Sequence, residues 1–283
     1  MDAPVAAVLA GLSAGQVVPY LGPGVLALAG PACPLPAAPQ ALVKHLTAKA
    51  SVPHKLLGNL TAAAQFIENF KHRKTVAAAM REAFAPAVAP TALHRLLADI
   101  AGLPLIVHAW YDDLPQRALA GRGDWGMVQG VSQAEHQGVW CHHFDAAGTL
   151  TTPEAASAWT TLLYQPLGSV APAGNFLVSD SDFVEVLTEI DIQTPIPAEV
   201  QRRRAGRQFL FLGCRFDDQL GRTFARQVMK RSSDRHYAVL PEKPTRNEAR
   251  FLAQHGIEVL ALSLAEFTAC LAGEAMPAQA LAG

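Results

Sequence analysis

The chain has 283 residues, half of them hydrophobic and 17% charged, a composition that suits a compact globular protein and excludes a disordered or low-complexity one. Its 23 basic and 24 acidic residues leave a formal charge of −1, so nothing global marks it for nucleic acid or an anionic membrane, and neither partner is expected. At roughly 150 residues per domain the length allows one large domain or two small ones.

Cys33, Cys141, Cys214 and Cys270 stand far apart with no Cys-x-x-Cys pair, which indicates neither a zinc ribbon nor a disulfide framework and fits reduced thiols in the cytoplasm. The first positive side chain is Lys44, so the apolar start lacks the basic region of a signal peptide. Pro19, Gly22, Pro23, Gly24, Gly30 and Pro31 interrupt it well short of the ~20 apolar residues of a membrane span.

Val5 to Leu12 reads as a short helix, and Gln16 to Leu21 as a buried strand ending at Gly22-Pro-Gly24. Pro31, Pro34, Pro36 and Pro39 make the next stretch a loop. From Gln40 to Asp99 apolar residues recur at helical spacing, in Leu42/Leu46, Leu60/Ala64/Ile67 and Val76/Met80/Phe84, and predict four or five helices. Leu105 to His108 is a second buried strand, followed by a short helix carrying Arg117 and Leu119. Val139 to Phe144 and Ala158 to Tyr164 flank an Asp-Ala-Ala-Gly turn at Asp145 to Gly148, which predicts a hairpin or small meander.

Ser179 is a candidate cap for a helix from Asp180 to Ile190, and a basic helical stretch around Gln201 to Arg207 precedes the strand Gln208 to Gly213. Helix and strand then alternate: helix Asp217 to Lys230, strand Arg235 to Leu240, helix Thr245 to His255, strand Ile257 to Leu262, helix Ala265 to Gly273. Apolar strands separated by single helices predict a parallel sheet covered on both faces. The Ala- and Gly-rich tail after Gly273 is expected to fray.

A strand running into Gly22-Pro-Gly24 can aim backbone N–H groups at a phosphate, although such a turn is also ordinary turn chemistry and its proline removes a donor. Several segments in order resemble the SIR2-like (sirtuin-type) family, particularly its short bacterial members. Val17-Val-Pro-Tyr-Leu-Gly-Pro-Gly-Val25 is similar to the family's opening strand and Gly-Ala-Gly-x-Ser loop, and the stretch from Leu105 to Leu119 to the one holding Thr-x-Asn-Tyr-Asp-Asp-Leu. Tyr164-Gln-Pro-Leu-Gly-Ser169 resembles Tyr-x-Leu-His-Gly-Ser, Leu177 to Phe183 the following Thr-x-x-Asp-Tyr, and Phe209 to Asp218 the Phe-x-Gly-x-Ser-x-x-Asp strand and turn. The resemblance runs from about Gln16 to Leu271.

It implies a single α/β domain over 1–273, a Rossmann-like parallel sheet of about six strands covered by helices, with a helical insertion at 40–99 and a small β insertion at 121–170. The family cleaves the nicotinamide bond of NAD, using an asparagine that positions ribose and water and a histidine base. At those positions this chain has Trp110 and Leu167, and at the two serine positions Leu26 and Arg215. An indole accepts no hydrogen bond and an isobutyl group carries no proton, so the resemblance implies a pseudoenzyme without catalytic residues or resident cofactor. Activity would survive if Asn175 or His108 entered the cleft. Gly22, Gly24, Asp112 and Gly213 are then the candidate contacts for NAD or ADP-ribose. The family's zinc module is missing, which leaves 121–158 to be held by packing. Similar reading frames that lack these residues accompany nitrogen-fixation genes, which implies a protein partner such as a nitrogenase component.

Cys141-His142-His143 invites a metal reading, but on a strand Cys141 and His143 share a face that His142 does not, and two ligands are too few. Asp112, Asp113, Asp217 and Asp218 read as acid/base pairs or, better, as carboxylates at helix starts. Arg202, Arg203 and Arg204 are interface candidates, with a solvated basic run as the competing reading. Trp125 and Trp140 are likewise candidates for an interface, or with Trp159 for the core of the β insertion.

Overall fold

The computed structural model describes residues 2–189 and 195–273; the expected tail and the last residue of the helix expected to end at Ile190 lie outside them. The chain opens with α1 (Ala3–Ser13) and β1 (Val17–Leu21), and a 3₁₀ turn at Pro23–Ala29 and a proline-rich loop lead to α2 (Pro39–Thr47), α3 (Leu60–Lys71), α4 (Arg73–Phe84) and α5 (Ala92–Ala98). Next come β2 (Leu105–His108), α6 (Leu114–Leu119), β3 (Trp125–Gly130), β4 (Cys141–Asp145), β5 (Leu150–Thr151), β6 (Thr161–Gln165) and the small pair β7 (Gly168–Ser169) and β8 (Asn175–Phe176). The chain continues through α7 (Asp180–Glu189), α8 (Ala198–Arg204), β9 (Gln208–Leu212), α9 (Gln219–Met229), β10 (His236–Val239), α10 (Arg246–Gln254), β11 (Ile257–Leu260) and α11 (Leu264–Leu271).

Nine strands form one sheet in the order β11-β10-β9-β1-β2-β6-β3-β4-β5. Every pair from β11 to β3 is parallel, and β4 and β5 close the far edge antiparallel. This is the expected Rossmann-like α/β architecture with a larger sheet than the six strands read from the sequence. The difference lies in the β insertion. β6 does not return as a hairpin against β4; it inserts between β2 and β3, pairing Leu105 with Leu162 and Trp125 with Thr161. Both β3 and β6 are buried along their whole length, which suits a central parallel strand and not a hairpin with one wet face.

Local chemistry fixes the covering helices. Asp218 caps α9 by accepting from the Gly221 N–H at 2.7 Å, and Thr245 with Glu248, and Ser263 with Glu266, form reciprocal boxes at the starts of α10 and α11. The sheet separates two apolar layers. Val18, Val107, Leu162, Tyr164 and Phe211 pack beneath α2 to α4, while Leu21, Ile106, Leu163, Met127 and Leu212 pack with residues of α1, α5 and α11.

Candidate functional site

The carboxyl ends of β1 and β9 lie side by side, and the turns that follow them are pressed together. The Gly22 N–H donates to Leu212 O at 2.8 Å, the Gly24 N–H to Gly213 O at 2.9 Å, and the Val25 N–H to Gly22 O at 3.2 Å. Pro23 has no N–H. Gly213 adopts φ 66°, and a Cβ there would stand 2.4 Å from the Val25 nitrogen, so only glycine allows the contact. Three of the candidate contacts for NAD or ADP-ribose, Gly22, Gly24 and Gly213, are therefore brought together, and the amides of the first two are hydrogen-bonded within the chain.

Leu26, Trp110 and Leu167, which the sequence spreads over some 140 positions, are all buried in the layer beneath the helical insertion. Trp110 Nε1 donates to Pro36 O in the proline-rich loop at 2.8 Å, and its ring lies 4.9 Å from that of Tyr111 and 6.1 Å from that of Phe84. Tyr111 in turn donates its hydroxyl to Leu177 O at 2.8 Å. A closed set of apolar and aromatic side chains thus occupies the carboxyl side of β2 and β6 on this face. Cys214, beside Gly213, is buried, which pushes its thiol far up and keeps it protonated.

The opposite face of the same strand ends is polar. His108 closes β2, Gln165 closes β6, and Gln129, next to last in β3, pairs in register with Gln165. The Gln129 amide donates to Gln165 Oε1 at 2.8 Å, as does Gln116 from α6 at 2.9 Å, and Gln165 Nε2 lies 3.4 Å from His108 Nδ1. His108 Nε2 stands 3.2 Å from Asp112 Oδ2. Burial pushes the Asp112 carboxyl up, but His108, His94 and the Leu114 N–H together outweigh it and hold the group below its ordinary value. Asp112, expected to touch a nucleotide, is 1% exposed and serves this pair and the start of α6. No local pattern exposed this ladder; its one signal is that apolar strands β2 and β6 each end on a polar residue.

Residues 104–260, from the entry to β2 through the end of β11, match the family model described as SIR2-like domain. The chain belongs to the SIR2-like family. None of the curated proteins compared with it matches. The family match spans Trp110, Asp112, Leu167, Gly213 and Arg215, whereas β1 and its glycine turn lie before it. The resemblance read from Gln16 to Leu271 is thus matched over a shorter stretch.

Other residues singled out from the SIR2-like sequence fall in different places. Arg215 is held by Glu248 through two bonds of 2.8 and 2.9 Å and by Glu242 at 3.0 Å. Burial pushes the Glu248 carboxyl up, but Arg215 and the N–H groups of Thr245 and Phe216 pull it down to about 2. Asn175 is buried, accepting from the Ser132 N–H at 2.9 Å and donating to Glu135 at 3.0 Å, and His108 is committed to its ladder. A partly buried ion network missed by the sequence reading ties this region together: Arg73 on α4 meets buried Asp182 of α7 at 2.7 Å and the less buried Glu68 and Glu135 at 3.3 Å.

The interface candidates need correction. Arg203 and Arg204 are each 4% exposed. Arg203 donates to Pro104 O, Thr160 O, Ala156 O and Trp159 O, and Arg204 to Gln227 O at 2.9 Å and Val228 O at 2.7 Å, so both are internal braces that satisfy carbonyls. Arg202 stays at the surface beside Glu199. Trp125 is 2% exposed and belongs to the core, and Trp140 is half-buried against it. Cys141 is also half-buried, with its thiol on Pro195 O at 3.3 Å. His142 stacks edge-on to His136, and among the described residues no three His, Cys, Asp or Glu side chains converge as a metal site. Asp113 occupies the cap position of α6 without a side-chain bond, and Asp218, not exposed Asp217, caps α9.

Proposed function

We propose that this SIR2-like chain is a non-catalytic member of its family that works by binding a partner protein. The observation that carries the reading is the state of the glycine turn: the amides of Gly22, Gly24 and Val25 donate to carbonyls of the chain, next to a layer filled by Leu26, Trp110 and Leu167. A dinucleotide bound there would have to break those bonds and displace aromatic packing, at about 1–3 kcal/mol for each polar group left unpaired. Trp110 and Leu167 supply neither the amide nor the imidazole that cleavage of a nicotinamide bond needs. The docking surface proposed is the packed pair α3 and α7, where Phe70 and Val184 are 67% and 59% exposed. A nitrogenase-type metalloenzyme is the narrower partner proposed.

Calorimetry with NAD and ADP-ribose, together with an assay for released nicotinamide, tests the first part; neither heat nor turnover is expected. Cross-linking in native extract tests the second. Loss of the captured protein in a Phe70→Ser/Val184→Ser variant is expected, and absence of nitrogenase components from material captured in nitrogen-fixing cells removes the narrower identity. A second reading, an NAD-consuming enzyme or NAD/ADP-ribose sensor, draws on His108 and Asp112, an acid–base couple 3.2 Å apart at the carboxyl end of β2. Turnover abolished by His108→Gln decides for it.

A further inference from the structure

The helical insertion differs in charge from the rest of the chain. From the start of α2 to the end of α4, residues 39–84 hold seven lysines and arginines against two glutamates, whereas the whole chain has a net charge of −1. Two of these cations are neutralised within the chain: Lys49 pairs with Glu82 at 2.7 Å, and Arg73 serves Asp182, Glu68 and Glu135. Lys71, His72 and Lys74, at the corner where α3 passes into α4, are exposed, and among the described residues no carboxylate pairs with either lysine. The one carboxylate lining that open corner, Glu68, is taken by Arg73.

Helix chemistry accounts for the first lysine only. Lys71 lies in the last turn of α3, where a cation complements the exposed carbonyls; Lys74 lies in the first turn of α4, where it opposes the helix dipole and no acidic residue balances it. His72 between them adopts φ 70° and ψ 152°, a conformation that glycine holds without strain, yet an exposed imidazole is kept there. The apolar part is adjacent. Phe66 and Phe70 stack at 4.4 Å along α3, and Phe70 is 67% exposed. An aromatic pair facing water beside unpaired cations is complementary to a partner that brings both apolar surface and negative charge.

We propose that this corner is the docking site for an acidic segment of the partner protein, with carboxylates meeting Lys71 and Lys74 and an aromatic or aliphatic side chain lying against Phe66 and Phe70. The inference rests on the partner-binding reading above and names the chemistry of the segment that engages this face. Charge complementarity selects a protein over a lipid surface. Asp180 and Glu185 on α7, which packs beside α3, would repel an anionic membrane, whereas a protein segment can arrange its own charges around them.

A phage-displayed library of random linear peptides, selected on the full chain and counter-selected on a Lys71→Glu/Lys74→Glu variant, supplies the probe. The retained peptides should be rich in Asp and Glu around an aromatic or aliphatic residue. In solution their affinity for the parent chain should fall about tenfold with Lys71→Glu/Lys74→Glu and with Phe70→Ser, and about threefold or more when salt rises from roughly 50 to 200 mM. Lys74→Glu alone relieves the clash with the α4 dipole and should keep or raise the unfolding midpoint, so that lost binding is not lost folding. Peptides without acidic enrichment, or no retained peptides, overturn the proposal. So do binding to phosphatidylserine vesicles in place of peptides, and self-association that the charge-reversed variant abolishes, which would assign the corner to a membrane or to a second copy. A captured protein that is lost with Phe70→Ser/Val184→Ser but held equally well by Lys71→Glu/Lys74→Glu would leave the partner-binding reading standing and remove this inference alone.

Discussion

The two faces of strands β2, β6 and β3 differ although they are made of alternating residues of the same three segments. One face presents Val107, Tyr164 and Val128, and above it Trp110, Leu167 and Leu26 complete a dry layer. The other presents Ile106, Leu163 and Met127, then changes character at its carboxyl end into the His108–Gln165–Gln129 ladder. Side chains alternate with a period of two along a strand, so one backbone supports both without conflict. What separates them energetically is water. Packing on the first face is mostly apolar, with phenols such as Tyr111 and Tyr164 kept protonated by burial, whereas each member of the ladder is a polar group sealed from solvent that depends on its neighbours.

Truncating the dry face should produce the largest effect. Trp110→Ala removes an indole packed against two aromatic rings together with its bond to Pro36 O, and is expected to cost about 3–5 kcal/mol in denaturant unfolding. A loss under about 1 kcal/mol would show that the layer is loose and the face open. Trp110→Asn should destabilise to a similar degree and yield no release of nicotinamide.

Acid should act through the other side. His94, buried on α5 near Asp112 and His108, is lowered to about 4, first by burial. The unfolded chain binds a proton near pH 6.5 that the folded chain refuses, so this group's contribution is complete above 6.5 and is lost as pH falls toward 4. Between pH 7.5 and 4.5 the fall is about 2–3 kcal/mol, and His94→Gln should flatten that part of the profile. Unchanged pH dependence in the variant would place the proton uptake elsewhere.

A smaller effect belongs to the ladder itself. Gln129→Leu leaves Gln165 and Ala171 O short of a donor, for an expected loss of about 1–3 kcal/mol. Smallest of all, Arg202→Ala should leave the unfolding midpoint where it is, in contrast to Arg203→Met one residue along the chain. The Arg203 substitution opens carbonyls of Pro104 and Ala156 and should cost about 3 kcal/mol or more.

The parts of this architecture that could be read in advance are those set by local pattern. β1, β2, β9, β10 and β11 lie within a residue or two of their expected ends, because strands covered on both faces are short apolar runs bounded by glycine, proline or caps. Ser179 likewise accepts from the Asp182 N–H at 3.3 Å at the start of α7. Non-local pairing escaped. Nothing within Thr161–Gln165 specifies that it lies between β2 and β3, and a hairpin satisfies the same stretch until its complete burial is known. Arg203 and Arg204 failed for a related reason, since a basic run looks solvated until the carbonyls it must serve, from positions as distant as Pro104, are placed around it. At the candidate site the sequence singled out Leu26, Trp110 and Leu167, which the fold buries in one layer, and Gly22, Gly24 and Gly213, whose turns it presses together. The destination of the Gly22 and Gly24 amides became visible only with β9 beside β1.

Amide chemical shifts of Gly22, Gly24 and Gly213 during titration with ADP-ribose test the central claim most directly. Bonded to the chain's own carbonyls or packed against them, they should stay in place up to millimolar nucleotide while the protein remains folded. Saturable movement of all three, accompanied by nicotinamide release when NAD replaces ADP-ribose, would contradict the account.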